Sequence, residues 1–305
     1  MSTTSPLQPT STATNFGLAG NVHEYVWAWA GQQLPIVYET LGQGPPVLLL
    51  PAFSTVSTRA EMRGLAERLA PQFQVTALDW PGFGQSPRPP LDYRPALYHQ
   101  FLEQFVKAVF DLPIAVVAAG HAAGYVMHLA QQAPQTLSQV VLVAPTWRGP
   151  LMTMGEHRQL YGMLRNLVRT PLVGQALYKL NTTRSFLSLM YRRHVYADPA
   201  KVTPELIERK YQITQRPGAR FAPAAFVTGA LDPVKDRSEL LNWFQPLPMP
   251  LMVVVGEHSP PKSKAEMEAL AELPGVEIQR FSGSLGLHEE YAAEVAEVIL
   301  PFLNS

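Results

Sequence analysis

Residues 120–124, Gly-His-Ala-Ala-Gly, lie between an apolar run over 114–119 and a segment over 125–132 with apolar positions at helical spacing. A sharp strand-to-helix turn of small residues is the shape that lifts a nucleophilic side chain clear of a sheet, beside backbone N–H groups that can stabilise an oxyanion. The central residue of this turn is Ala122. Nucleophilic catalysis needs an oxygen or sulfur activated by a base, and a methyl group supplies neither. The chain has no cysteine, which excludes a thiolate nucleophile, a disulfide and a Cys-based metal site. A histidine, His288, stands near the C-terminus in Gly-Leu-His-Glu-Glu after the last apolar run. His258 and His288 are not at a metal-ligand spacing and no carboxylate cluster joins them, so no metal or other cofactor is expected.

The elements that must position these residues show in the periodicity. A hairpin is expected over 22–39, and strands over 46–50, 74–78, 114–119, 140–144, 251–255 and 276–281. Helices are expected over 59–69, 98–110, 125–132, 262–270 and 291–303. Strands alternating with helices imply an α/β fold: a mostly parallel central sheet, right-handed crossovers and flanking helices. The alternation stops over 148–238, where the pattern is helical and broken at Pro171, Pro199, Pro204 and Pro217. A helical block inserted late in such a sheet is expected as a cap over the carboxyl ends of the strands, where ligand crevices sit. The expected organisation is thus a core over 16–147 and 239–305, a basic helical cap over 148–238, and a disordered tail over 1–15. The tail is rich in Ser, Thr and Pro and lacks the apolar stretch of a signal peptide. No apolar run approaches the roughly 18 residues needed to cross a bilayer.

The formal net charge is zero, yet residues 148–237 hold 15 of the 24 Lys and Arg and only 6 of the 24 Asp and Glu. From 157 to 197 there is no acidic residue, and Arg165, Arg169, Lys179, Arg184, Arg192 and Arg193 punctuate leucine, methionine and aromatic residues. Such a surface suits an anionic membrane, an acidic protein or an anionic ligand. It equally suits a cap whose apolar faces cover a pocket while its arginines are solvated or pair with acids of the core. A neutral chain without a recognisable binding motif argues against nucleic acid.

Two further segments give the chain a resemblance to the α/β-hydrolase family. Residues 79–86, Asp-Trp-Pro-Gly-Phe-Gly-Gln-Ser, match that family's Asp-x-Pro-Gly-x-Gly-x-Ser turn, and Pro51-Ala52 stands where the family has its His-Gly oxyanion loop. The resemblance covers about 22–303 and implies the α/β-hydrolase fold with an inserted cap. It places Ala122 at the nucleophile position, His288 at the base position and Ser259, in Gly256-Glu257-His258-Ser259, at the acid position. It also places the backbone N–H groups of Phe53 and Ala123 at an oxyanion site. Serine cannot supply the negative charge that orients and stabilises an imidazolium, so His288 is the residual member of the triad. Nearby, Glu257 is expected to be solvated and Glu289 to diverge from the imidazole. His121 is expected to pack beside the turn. Ser54 is expected to cap a helix, and Asp232 to be a turn or N-cap residue before a helix over 237–244.

These departures favour a non-catalytic member that binds a small apolar or amphipathic ligand, a protein partner or a membrane surface, in the cytoplasm or peripheral to a membrane. Two alternatives stay open. One is an ester or carbon-bond hydrolase whose nucleophile has been replaced at Ala122. The other is a lyase or cofactor-free oxygenase that uses His288 as its base.

Overall fold

Val47, Leu48, Leu49 and Leu50 are all fully buried, the pattern of a strand covered by helices on both faces rather than one with a wet side. They form β3 (Pro46–Leu50), inside a single eight-stranded sheet. The computed structural model describes residues 16–155 and 157–305; the tail expected over 1–15 lies outside them. The remaining strands are β1 (Asn21–Trp29), β2 (Gln32–Leu41), β4 (Gln74–Leu78), β5 (Ile114–Ala119), β6 (Leu137–Val143), β7 (Leu251–Gly256) and β8 (Val276–Phe281). Their spatial order is β1-β2-β4-β3-β5-β6-β7-β8. The β1–β2 hairpin and the β2–β4 pair are antiparallel, and every later pair is parallel. In β1 only Trp27 is buried, as befits an edge strand.

The flanking helices are α1 (Arg63–Leu69), α2 (Pro95–Val109), α3 (Ala122–Gln132), and, after the insertion, α11 (Pro261–Ala271), α12 (Leu287–Glu290) and α13 (Ala292–Leu303). Between β6 and β7 lie α4 (Pro150–Met154), α5 (Arg158–Arg169), α6 (Val173–Leu180), α7 (Arg184–Met190), α8 (Pro204–Thr214), α9 (Phe221–Val227) and α10 (Arg237–Asn242). The insertion builds a small core of its own from Leu187, Tyr191, Tyr196, Val202, Leu206 and Ile207, and Val56, from the loop after β3, joins it. That loop and the one before α12 both leave the carboxyl ends of parallel strands, so the insertion sits over that edge. Glu290 holds it there: its carboxylate accepts from the N–H groups of Ala197 and Asp198 at 2.8 and 2.7 Å, and its carbonyl accepts from Lys201 Nζ at 2.9 Å.

Two expectations differ in detail. The segment expected as a helix over 59–69 opens with a 3-10 turn (Arg59–Met62) before α1. The N-cap of α10 is Asp236, which accepts from Glu239 N at 2.9 Å, and not Asp232. Asp232 instead accepts from Gly149 N at 2.7 Å, tying the two ends of the insertion together.

The 79–86 motif is a structural knot. Asp79 accepts from Arg59 N, from the Arg59 guanidinium and from Gln85 N, while Ser86 Oγ donates to the Asp79 carbonyl at 2.7 Å. Gly84 has φ +51, and a β-carbon there would lie 2.1 Å from Asp79 Cγ, so only glycine fits. Arg59, with 0% side-chain exposure, also donates to Glu39 at 2.8 Å and to Gln85 Oε1 at 2.7 Å. Glu39 in turn accepts from Leu18 N and Gly20 N, anchoring the first described residues to the sheet.

Candidate functional site

Strand β5 ends at Ala119, and the chain reverses into α3 through Gly120, whose φ is +51. His121 is already helical, with φ −69 and ψ −18, and Ala122 is the first residue of α3. The turning residue is therefore Gly120, and Ala122, expected at the centre of the turn, lies two residues further on. The left-handed region costs an L-residue roughly 1–2 kcal/mol and glycine nothing, so in a stretch with small residues at 118–120 and 122–124 the glycine takes the turn. The oxyanion expectation changes with it. The Ala123 N–H donates to the Gly120 carbonyl at 3.2 Å and is not free for a ligand, whereas the N–H groups of Phe53 and His121 have no backbone partner among the described residues.

An aromatic cluster lies beside the turn. Phe53 stacks on Trp80 at 4.8 Å between ring centres and meets Phe83, Tyr98 and Tyr125 at 5.3, 4.9 and 5.2 Å. His121 packs beside this cluster, as expected, and donates from Nε2 to the Leu231 carbonyl at 2.9 Å. Gly120 and Ala122 are buried.

His288, Ser259 and the turn do not join into a hydrogen-bonded relay. His288 is buried on α12, and neither ring nitrogen has a hydrogen-bond partner among the described residues. Ser259 Oγ is likewise buried and unpartnered. What His288 meets is Glu61, with Nε2 3.6 Å from Oε2, an ionic contact too long for a hydrogen bond. Glu61 pairs with Lys210 of α8 at 3.1 Å, and Lys210 pairs with Glu289 at 2.9 Å. Burial alone would raise the Glu61 carboxyl, but Lys210 and His288 outweigh it and hold the group below its ordinary value. Burial alone would lower Lys210, but Glu289 and Glu61 reverse that and keep it charged. Glu257 is exposed, as expected, and Glu289, expected to diverge from the imidazole, meets the same network through Lys210. Ser54 Oγ accepts from Val56 N at 3.1 Å, closing a turn instead of capping a helix. Glu61 and Lys210 carry no motif and lie 149 positions apart, so nothing local in the sequence points to them.

A second buried pair faces the turn from the insertion's far end. Asp232 Oδ1 lies 3.7 Å from His121 Nε2, and Asp232 Oδ2 is buried without a partner. Burial pushes the Asp232 carboxyl up to about 7 and the His121 imidazole down to about 4. Folded Asp232 keeps its proton to higher pH than unfolded Asp232, so its contribution to stability falls as pH rises from about 4 to about 7. Folded His121 surrenders its proton at lower pH than unfolded His121, so its contribution rises between about 4 and 6.5. The tilts oppose each other, at about 1.4 kcal/mol per pH unit each. Asp232→Asn is expected to leave the rising tilt and His121→Gln the falling one. Urea unfolding at about pH 5 and about pH 6.5 reads both; parallel pH profiles in the two variants would contradict this account.

A cleft of about 340 Å³ opens between the segments that follow β6 and β7, lined by Thr146, Trp147, Arg148, Arg237, Lys262 and Glu266 among others. Glu266 is held by Arg237 at 2.9 Å, and Arg148 lies over the Trp147 ring, 4.4 Å from its centre.

The basic residues of the insertion divide between partners within it and acids of the core: Lys210 meets Glu61 and Glu289, and Arg237 meets Glu266. Arg184 pairs with Glu208 at 2.6 Å and lies over Tyr211. Arg192 donates to the Val202 carbonyl, and Arg169 to the carbonyls of Leu91 and Pro90. Lys179 and Arg193 are exposed, and Arg165 is half-buried. The apolar face of α5, expected to cover a pocket, is exposed. Leu160, Met163, Leu164 and Leu167 point to solvent.

A sheet of this order, a glycine-rich turn after β3–β4 and a tight strand-to-helix bend after β5 define an α/β-hydrolase fold. A sequence profile of the alpha/beta hydrolase family matches residues 47–298, and the chain belongs to that family. Uncharacterized proteins of Mycobacterium tuberculosis and Mycobacterium bovis are 30% identical over 107 residues, 35% of this chain. The match spans 31% of the length of those relatives. Among solved structures, a haloalkane dehalogenase DatA variant from Agrobacterium tumefaciens superposes with TM-score 0.70 at 18% identity, covering 96% of this chain and 99% of that one. An esterase from Thermogutta terrifontis gives 0.68 at 20% identity, covering 92% and 97%. A serine hydrolase involved in carbazole degradation gives 0.67 at 19% identity, covering 92% and 98%. At these identities the likeness is one of fold. Among the described residues no helix is long and apolar enough to cross a membrane, and no group of three His, Cys, Asp or Glu side chains could hold a metal ion.

Proposed function

We propose that this member of the family is a binding protein and does not hydrolyse substrates through a side-chain nucleophile. The observation that carries the reading is the turn itself: its left-handed residue is Gly120, which has no side chain, and the residues after it are His121, Ala122 and Ala123. The histidines support it. Among the described residues the one hydroxyl within hydrogen-bond distance of a histidine is Thr40 Oγ1, 2.9 Å from His23 Nε2. That pair lies on β1 and β2, at the edge of the sheet away from β5. A nucleophile without a base in reach stays protonated and unreactive.

A different reading draws on His288, buried beside Glu61 with both ring nitrogens unengaged, as a proton acceptor for lyase or oxygenase chemistry. It is weakened by Glu61 being committed to Lys210.

Hydrolysis of p-nitrophenyl acetate and butyrate by the unaltered chain, Ala122→Ser and Gly120→Ser separates the possibilities. All three are expected to match the buffer rate. Gly120→Ser should in addition lose about 1–3 kcal/mol of stability, since serine would sit in the left-handed region. Its β-carbon would also lie 3.0 Å from that of Ala52. Strong turnover by the unaltered chain would overturn the proposal. Turnover confined to Ala122→Ser would identify a hydrolase disabled at that position.

A further inference from the structure

The insertion leaves apolar side chains in water. On α5, Leu160, Met163, Leu164 and Leu167 recur at i, i+3, i+4 and i+7 and are 56%, 64%, 39% and 43% exposed. Only the neighbouring edge of the helix, at Tyr161, is buried. On α6, Val173 and Leu180, 55% and 67% exposed, fall on one face, and the residue between the helices, Leu172, is 86% exposed. Single exposed leucines are ordinary; two consecutive, mutually packed helices with uncovered apolar stripes are not.

The charges carried by the two helices themselves have one sign. Arg158 and Lys179 are exposed on the same two helices, and no acidic residue occurs from 157 to 197. We propose that the α5–α6 hairpin docks in the plane of a lipid leaflet bearing anionic headgroups, with Leu172 and the α5 stripe entering the acyl boundary and Lys179 meeting the phosphates. Both helices are far too short to span, at 12 and 8 residues, and lie on the surface instead. A second copy of the chain fits this face badly, because apposing two such hairpins brings cations together with no carboxylate on either helix to offset them. Apolar insertion and headgroup attraction act together here, so neither a neutral membrane nor an apolar protein surface offers the same complement. This docking does not depend on whether the turn at Gly120 supports catalysis.

The test is co-sedimentation of the full chain with vesicles of phosphatidylcholine alone and with about 30% phosphatidylserine, at about 50 mM and about 500 mM salt. The paired variant is Leu164→Asp with Leu172→Asp, both at exposed positions where the fold has little at stake. Binding is expected to be about tenfold tighter to the anionic vesicles at low salt, to weaken at high salt, and to fall about tenfold or more in the variant. Circular dichroism checks that the variant keeps its helices. No binding to anionic vesicles at low salt, or undiminished binding by a folded variant, overturns the proposal. So does a solution dimer that the variant abolishes, which would assign the face to a second copy.

Discussion

Replacing Arg59 by methionine is expected to cost about 3–5 kcal/mol, the range measured when one partner of a buried ion pair is removed. Out of a total stability of about 5–15 kcal/mol, that is enough to lower the melting temperature by roughly 10 °C. Arg59 lies between two buried carboxylates, Glu39 and Asp79, and it also donates to Gln85. Methionine fills the volume of the stem but leaves both acids with backbone N–H donors and without the guanidinium charge, and it takes the Arg59 donor from the Gln85 oxygen. Arg59→Lys should fall in between, since an ammonium is a point charge and cannot serve diverging partners as a planar fork does. Thermal unfolding of the three proteins reads the order directly. A methionine variant that melts within about 2 °C of the unaltered chain would mean that the knot is incidental to stability.

Lys210→Met is expected to cost a similar amount, with a distinctive dependence on pH. In the unaltered chain Glu61 is held below its ordinary value, so it contributes stability above about 4.5 that is lost as pH falls through the depressed value. Removing Lys210 removes the largest influence holding it down and leaves burial, the largest influence of all, opposed by His288 alone. The carboxyl then prefers its proton, and the sign inverts: the variant should lose stability as pH rises. The deficit relative to the unaltered chain is therefore expected to be largest near neutrality and to shrink toward about pH 5. Urea unfolding at the two pH values measures it. A deficit of the same size at both would show that the cost lies in packing rather than in charge.

These two lysine and arginine sites mark where reading the sequence ran out. Strand positions were legible because runs such as 46–50 and 251–255 are apolar throughout, and burial on both faces demands that. The 79–86 motif was legible because it is local: Asp79, Gly84, Gln85 and Ser86 satisfy one another within eight residues. Its partner Arg59 was not, because nothing in residue type separates a buried arginine in the middle of a charge network from a solvated one on a helix. Lys210 is harder still, since its partners lie on elements that only the tertiary fold brings near. The turn shows a different failure. Gly120, Ala122, Ala123 and Gly124 are all small, so the small-residue pattern can be laid on the sequence in more than one frame, and the frame is set by which residue tolerates a positive φ. Asp232 and Asp236 both precede α10, and the contact between Asp232 and Gly149, 83 positions away, decides which one caps.

Glu290 has a bearing on how the insertion can move. Where such segments act as lids, entry and release depend on a piece of chain free to swing on the microsecond-to-millisecond scale. Here the amides of Ala197 and Asp198 share one carboxylate, and charge-assisted bonds of that kind are about twice as strong as neutral ones. Lys201 adds a third tie, to the Glu290 carbonyl, and rests on the Tyr291 ring. The three ties converge on one turn of chain, so the insertion cannot peel away here by small successive displacements. Opening at this edge is expected to break the three together, as a cooperative event rather than a continuous fluctuation.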